Sequence, residues 1–181
     1  MTSWNRATIG VAVAVPEPWG EQLQDYRSAL GDDTASGIPT HVTLMPPTEV
    51  EITDLPLLEK HLIEAAAACA AFPVHLRGTG TFRPVSPVVF VTVAEGIAGY
   101  EQLACAVRRG PLDLDPEFPY HPHVTVAHHQ PDPVLDLAFE DLAGFECSFE
   151  VDRFKLYVHD GCSGWVPTRE FVLATEPRQP G

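Results

Sequence analysis

The chain has 181 residues, with 45% hydrophobic and 20% charged positions, and sets 11 Lys and Arg against 25 Asp and Glu for a net charge of −14. That size and balance fit one globular domain with a buried core and exclude a disordered or collagen-like chain. The negative surface repels polyanions, which argues against broad binding to long nucleic acid and leaves a small phosphorylated substrate or a single RNA end as the partner to look for.

In chain order, Ile9, Val11, Val13 and Val15 alternate through a strand over 6–15. The run ends in Pro16-Glu17-Pro18, not in a small-residue cleavage site, so it reads as a strand and not as a signal peptide. Pro18 opens a helix over 18–30, with Leu23, Tyr26 and Leu30 on one side. Residues 31–37 read as a loop. A short strand, His41-Val42-Thr43-Leu44, is stopped by Pro46-Pro47. Thr53 or Asp54 caps a helix over 55–71, rich in Ala, Leu and Glu. Strands follow at 73–82 and 87–94, with Arg83 to Pro87 as the turn. The second half predicts a helix over 97–109, a loop over 111–119, a strand over 121–129 and a helix over 134–143. Strands over 146–158 and 165–174 close the chain, separated by the turn Asp160 to Gly164.

The order strand, helix, His-x-Thr strand, helix, strand thus occurs twice. It reads as an internal duplication within a single domain, with halves over about 6–83 and 87–158 and a closing strand over about 165–174. The four cysteines, Cys69, Cys105, Cys147 and Cys162, form no Cys-x-x-Cys pair and suit free thiols in a reducing cytoplasm. No apolar stretch reaches membrane-spanning length.

With 8 histidines in the chain, an isolated His-x-Thr is expected by chance. The matched pair carries more weight: His41-Val42-Thr43-Leu44 and His123-Val124-Thr125-Val126 occupy the same slot of the repeat, each on a strand. In a strand, positions i and i+2 share a face. His41 with Thr43, and His123 with Thr125, therefore point one way, while Val42, Leu44, Val124 and Val126 point into the core. A twofold arrangement brings two imidazoles and two hydroxyls together across a cleft. Imidazoles act as acid or base near neutral pH, and hydroxyls donate hydrogen bonds to phosphate oxygens. This set suits transfer at phosphorus without a metal or other cofactor. The His121-Pro122-His123 and His128-His129 cluster lacks a His-Glu-x-x-His frame or cysteine partners. No Gly-x-x-x-x-Gly-Lys loop or Gly-x-Ser-x-Gly elbow is present.

At these motifs the chain resembles the 2H phosphoesterase superfamily, named for two His-x-Thr-x strings, and in particular the bacterial 2′-5′ RNA ligase or RNA 2′,3′-cyclic phosphodiesterase family. The resemblance extends to the approach Pro119-Tyr120-His121-Pro122 and to the closing strand near Trp165 to Leu173. It implies an α+β fold, bilobal and pseudo-twofold, with antiparallel-rich sheets facing a central cleft. It implies hydrolysis of 2′,3′-cyclic phosphates, on a nucleotide or an RNA 3′ end, to 2′-phosphates, and in some members 2′-5′ ligation. By resemblance His41 is the proton donor to the leaving oxygen, His123 the base that activates water, and Thr43 and Thr125 the phosphate holders. RNA-handling relatives often continue the first motif with an aromatic and a Leu-Gly pair, where this chain has Met45-Pro46-Pro47. They often place an arginine soon after the second motif, where it has His128-His129.

Strand alternation puts His129 on the face of His123 and turns His128 away, so that, absent a bulge, His129 replaces that arginine. Lys155 and Tyr157 share a face that can line the cleft, and Arg83 at its turn can reach a substrate. The expected partner is a small cyclic nucleotide or RNA 3′ terminus, with no membrane and no long nucleic acid, bound by a cytoplasmic monomer. Two rival readings stay open: a non-catalytic nucleotide-binding module, and a phosphoesterase for another cyclic phosphate, such as one on ADP-ribose, or for a 2′-5′ oligonucleotide.

Overall fold

The computed structural model describes residues 5–111, 118–162 and 164–175. Most of the loop expected over 111–119, and Ser163 of the turn before the closing strand, lie outside them. The elements are β1 (Arg6–Ala14), α1 (Trp19–Ala29), β2 (His41–Glu51), α2 (Leu55–Ala68), β3 (Phe72–Thr81), β4 (Val88–Glu95), α3 (Ile97–Arg108), β5 (His123–His128), α4 (Asp132–Asp141), β6 (Glu146–Val151), β7 (Arg153–His159) and β8 (Trp165–Val172). No helix among the described residues is long and apolar enough to cross a membrane.

The strands form one sheet in the order β6-β3-β4-β5-β2-β1-β7-β8. Every ladder in it is antiparallel. The two His-x-Thr strands, β2 and β5, are therefore central neighbours, and four strands lie in each half about their seam. The seam itself is a single residue pair, Val42 with Val124. A lone residue, Asp152, links β6 at one edge to β7 near the other, so the sheet must curl until its ends approach. The chain end closes the curl, where Ala174 bridges Ala70. The strand expected over 146–158 is thus two strands. The break falls at Asp152, where the chain leaves one half of the sheet for the other.

One sheet face is the core. Ile9, Val11, Val13, Val42, Val89, Val91 and Val124 share a cluster with Leu23, Leu62, Leu103 and Leu135 of the four helices. These strand residues have one parity, as the alternation of apolar positions dictates. The opposite face carries Gly10, Ala12 and Ala14 of β1, and the two motifs.

The prolines do not stop β2, which runs on to Glu51. Its register against β1 slips twice: Thr43 faces Ala12 but Met45 faces Val11, and Thr48 faces Ile9. Each slip is a bulge, one with Leu44 as the extra residue and one at Pro46-Pro47. Proline lacks an N–H, and a bulge is where a strand needs none. α2 starts after Asp54, but neither Thr53 nor Asp54 caps it through a side chain.

The seam residue Val124 is fully buried. Val124→Ala removes two carbons from the core and should cost about 2 kcal/mol. Urea unfolding should show a lower midpoint with an unchanged slope. An unchanged midpoint would contradict the burial of Val124 in the core.

Candidate active site

Register fixes the geometry of the site. With Val42 opposite Val124, His41 stands opposite Thr125 and Thr43 opposite His123, all on the face away from the core. The two imidazoles lie on the diagonal of this quartet. Diagonal neighbours in an antiparallel pair stand about 7–8 Å apart, which admits a phosphate group between them. All four side chains are half-buried.

The two motifs repeat each other beyond their letters. In β5, Thr125 faces Phe90 but Ala127 faces Val89, so Val126 is an extra residue. This bulge matches the one at Leu44 in β2, immediately after the threonine in both cases. Each bulge turns the strand aside after its motif, and the ladder between β2 and β5 ends there. The freed carbonyls of β2 are taken up by side chains. Tyr120 Oη donates to the Thr43 carbonyl at 2.8 Å, and Arg108 Nε donates to the Leu44 carbonyl at 2.7 Å. The Arg108 guanidinium lies 4.9 Å from the centre of the Tyr120 ring. Together they engage β2 where its ladder to β5 ends, just after Thr43.

The histidines are oriented in the same way. His41 Nδ1 lies 2.8 Å from the Pro39 carbonyl, and His123 Nδ1 lies 2.7 Å from the His121 carbonyl. A carbonyl only accepts, so each Nδ1 carries the hydrogen, and each neutral ring keeps the lone pair on Nε2. Both rings thus offer Nε2 for proton exchange. The pKa of His41 is lowered from 6.5 to about 4, by burial first and also by the charges of Arg27 and His123, with the Pro39 carbonyl opposing. His123 is also lowered, by burial first and by the His121 imidazole, with the His121 carbonyl opposing.

Around this quartet the pseudosymmetry breaks. Beside His123 the face is packed with rings. Phe82 lies 4.9 Å and Phe90 5.2 Å from the His123 ring, and they lie 4.6 Å from each other. Phe90 covers Gly80, where an added Cβ would stand 2.6 Å from the ring. Beside His41 the position that corresponds to Phe90 is Ala12, with Gly10 two residues before it on the same face. A cavity of about 110 Å³ opens there, lined by His41, Thr43, Ile38, Met45, Tyr157 and Trp165, with Gly10 and Ala12 as its floor.

The remaining sequence candidates divide. Tyr157 is buried and lines the cavity. Lys155 shares its face but is paired with Glu170 at 3.9 Å. Arg83 is tied to α4 through Asp136 at 2.8 Å and Asp132 at 3.5 Å, and its Nε also meets Thr81. The bulge at Val126 reverses the alternation after Thr125. His128 therefore falls on the face of His123 and Thr125, opposite Val88, while His129 lies beyond the strand at φ 54°. His128, not His129, stands on the site face. Its pKa is lowered by burial, by His129 and by Arg27, with Asp32 opposing. Arg27 and Asp32 form a buried ion pair at 2.9 Å. Sequence reading missed Phe82, Phe90, Tyr120, Arg108 and Trp165 as neighbours of the site. The signal it could have used is the doubled apolar pair after each threonine, Leu44-Met45 and Val126-Ala127, which breaks the alternation as a bulge does. Among the described residues, no three His, Cys, Asp or Glu side chains converge as a metal-binding group.

Comparison with known proteins agrees with this geometry. A family model described as the 2′-5′ RNA ligase superfamily matches residues 15–162. A Halalkalibacterium halodurans protein described as a "putative phosphoesterase" is 29% identical over 172 residues, covering 92% of this chain and 98% of its own length. A Bacillus pumilus protein of the same description is 30% identical over 166 residues, covering 86% of this chain and 94% of its own. The crystal structure of Escherichia coli LigT complexed with 3′-AMP superposes with a TM-score of 0.70 at 22% identity, covering 93% of this chain and 99% of that one. A Thermus thermophilus structure superposes at 0.61 with 25% identity, covering 92% and 97%.

The lowered histidines have a measurable consequence. Histidines of an unfolded chain take up protons near 6.5, and His41 in the folded chain only near 4. The stability due to neutral, buried imidazoles is therefore whole above pH 6.5 and is lost as the pH falls through 4. An NMR titration of the imidazole signals in the free protein should place His41 and His123 below 6.5, His41 near 4, with the Nδ1–H tautomer. A midpoint for His41 at or above 6.5 would contradict the burial described.

Proposed function

The chain belongs to the 2′-5′ RNA ligase superfamily of two-histidine phosphoesterases, and on that premise we propose that it is a phosphodiesterase that opens 2′,3′-cyclic phosphates to 2′-phosphates. The observation that carries this reading is the matched pair of imidazoles, each fixed through Nδ1 to the carbonyl two residues back. They stand on the diagonal of a quartet whose other corners are hydroxyls. LigT was crystallised with 3′-AMP, and the common fold supports a nucleotide as the occupant.

The chemistry needs no further group. The cyclic phosphate seats between the two rings, and Thr43 and Thr125 donate hydrogen bonds to its non-bridging oxygens. His123 Nε2 takes a proton from a water as the water oxygen bonds to phosphorus. The bond from phosphorus to the 3′-oxygen breaks on the far side, and His41 Nε2 gives that oxygen a proton. Solvent then returns the proton from His123 to His41. In the free protein both rings are neutral at pH 7, because burial disfavours a charge. The anionic phosphate supplies the counter-charge that lets His41 hold a proton in the complex.

Turnover of 2′,3′-cyclic AMP, followed by phosphorus NMR in the presence of EDTA, tests the proposal. His41→Ala and His123→Ala should each lower the rate by about 10²–10⁴, and Thr43→Val or Thr125→Val by on the order of 10². The profile of kcat/KM, which reports the free enzyme, should be a bell lying on the acid side of 6.5. That of kcat should lie higher, since bound phosphate raises both imidazoles. Undiminished activity in either alanine variant would remove the assigned roles. Binding of AMP with no turnover of any cyclic phosphate would make the protein a binding module.

A further inference from the structure

Resting on that reading, we infer that the cavity beside His41 holds the base of a mononucleotide, and that the enzyme acts on mononucleotide cyclic phosphates in preference to RNA ends or nucleotides bearing further phosphates. Two independent features lead there: the broken symmetry of the cleft and the commitment of its cations.

The substrate's organic group can go to one side only. On the His123 side, Phe90 fills the space over Gly80 and Phe82 packs against it. On the His41 side, Gly10 and Ala12 leave a cavity of about 110 Å³, walled by Tyr157 and Trp165. An added Cβ at Gly10 would lie 3.4 Å from the Trp165 ring, so the indole stands directly over this floor. A flat ring system fits between such walls, and base–aromatic contact of this kind is tolerant of base identity. The placement also puts the ribose oxygen that leaves phosphorus next to His41 and leaves the ring-packed side for water. That is the division of labour proposed above.

The cations near the cleft have other partners. Lys155, on the cleft face of β7, meets Glu170 at 3.9 Å, and Arg153 meets Glu170 at 2.8 Å. Arg83 is held by Asp136, and Arg27 is buried against Asp32. The Nε of Arg108 is used on the Leu44 carbonyl. Where an arginine would follow the second motif, His128 stands with its pKa lowered. One phosphate diester can be held by two threonines. A second or third phosphate would meet a chain of net charge −14 whose described cations near the cleft, Lys155, Arg83 and Arg27, are engaged by carboxylates.

The test is a panel of four substrates: 2′,3′-cyclic AMP, ribose 2′,3′-cyclic phosphate without a base, cyclic AMP bearing a 5′-diphosphate, and an RNA tetramer with a 2′,3′-cyclic end. The mononucleotide should exceed the tetramer and the diphosphate by at least tenfold in kcat/KM at low salt. Trp165→Ala and Gly10→Val should lower kcat/KM for cyclic AMP at least tenfold more than for the base-free substrate. Glu170→Gln, which releases Lys155, should raise the relative rate on the tetramer. Equal rates on mononucleotide and tetramer, or equal losses with and without a base, would overturn the inference while leaving the phosphodiesterase intact. If no cyclic phosphate is opened, the functional reading fails instead. The cavity is then judged by AMP binding, which Trp165→Ala should weaken at least tenfold and which an unchanged affinity would refute.

Discussion

One backbone pair, Val42 with Val124, determines the rest of the site. It joins the two halves of the sheet, and because facing residues in a ladder share a side, it also sets the quartet of His41, Thr125, Thr43 and His123. A slip of one residue in either strand would turn that strand's motif into the core and its valine outward. The burial of Val42 and Val124 therefore holds the register of the quartet, and the packing and the proposed chemistry are two faces of the same pairing. The bulges at Leu44 and Val126 then end the ladder on either side, and Arg108 and Tyr120 take up the carbonyls at the Leu44 end. Without those bulges the strands would pair further and leave no cleft at their junction.

The same burial sets the electrostatics. Each imidazole is oriented by a carbonyl and half-removed from water, so the charged form is disfavoured in the free protein. A site of this kind is incomplete until an anion enters. In the proposed function, the phosphate fills the space between the rings and offsets the cost of protonating one of them, which would tie acid catalysis to the presence of substrate. The overall charge of −14 works the other way, and in the proposed reading it limits how much negative charge the substrate can bring.

Much of this was legible in the sequence, because strand alternation is a strong signal where one face is buried. The faces of His41, Thr43, His123 and Thr125 followed from period two alone, as did the apolar core of β1. The resemblance to the two-histidine family read from the motifs agrees with the family match and the shared fold. What was not legible came from bulges and crossovers. Pro46-Pro47 reads as a stop until the bulge opposite Ile9 is known, and His128 reads as turned away until Val126 is known to be an extra residue. The alternation over 146–158 hides the break at Asp152, since both pieces are strands and only the curl of the sheet separates them. The rings beside His123 come from β3–β4 and their turn, and Trp165 from β8. Such long-range neighbours leave no local trace.

The central claim is that the two imidazoles act on one phosphorus from opposite sides, His123 on the entering water and His41 on the departing oxygen. Hydrolysis of a single diastereomer of adenosine 2′,3′-cyclic phosphorothioate in heavy-oxygen water, with the configuration at phosphorus read from the product, tests this most directly. A single in-line displacement gives inversion, and that is the predicted result. Retention would mean two displacements through a covalent intermediate, and the two histidines would then have roles other than those assigned to them.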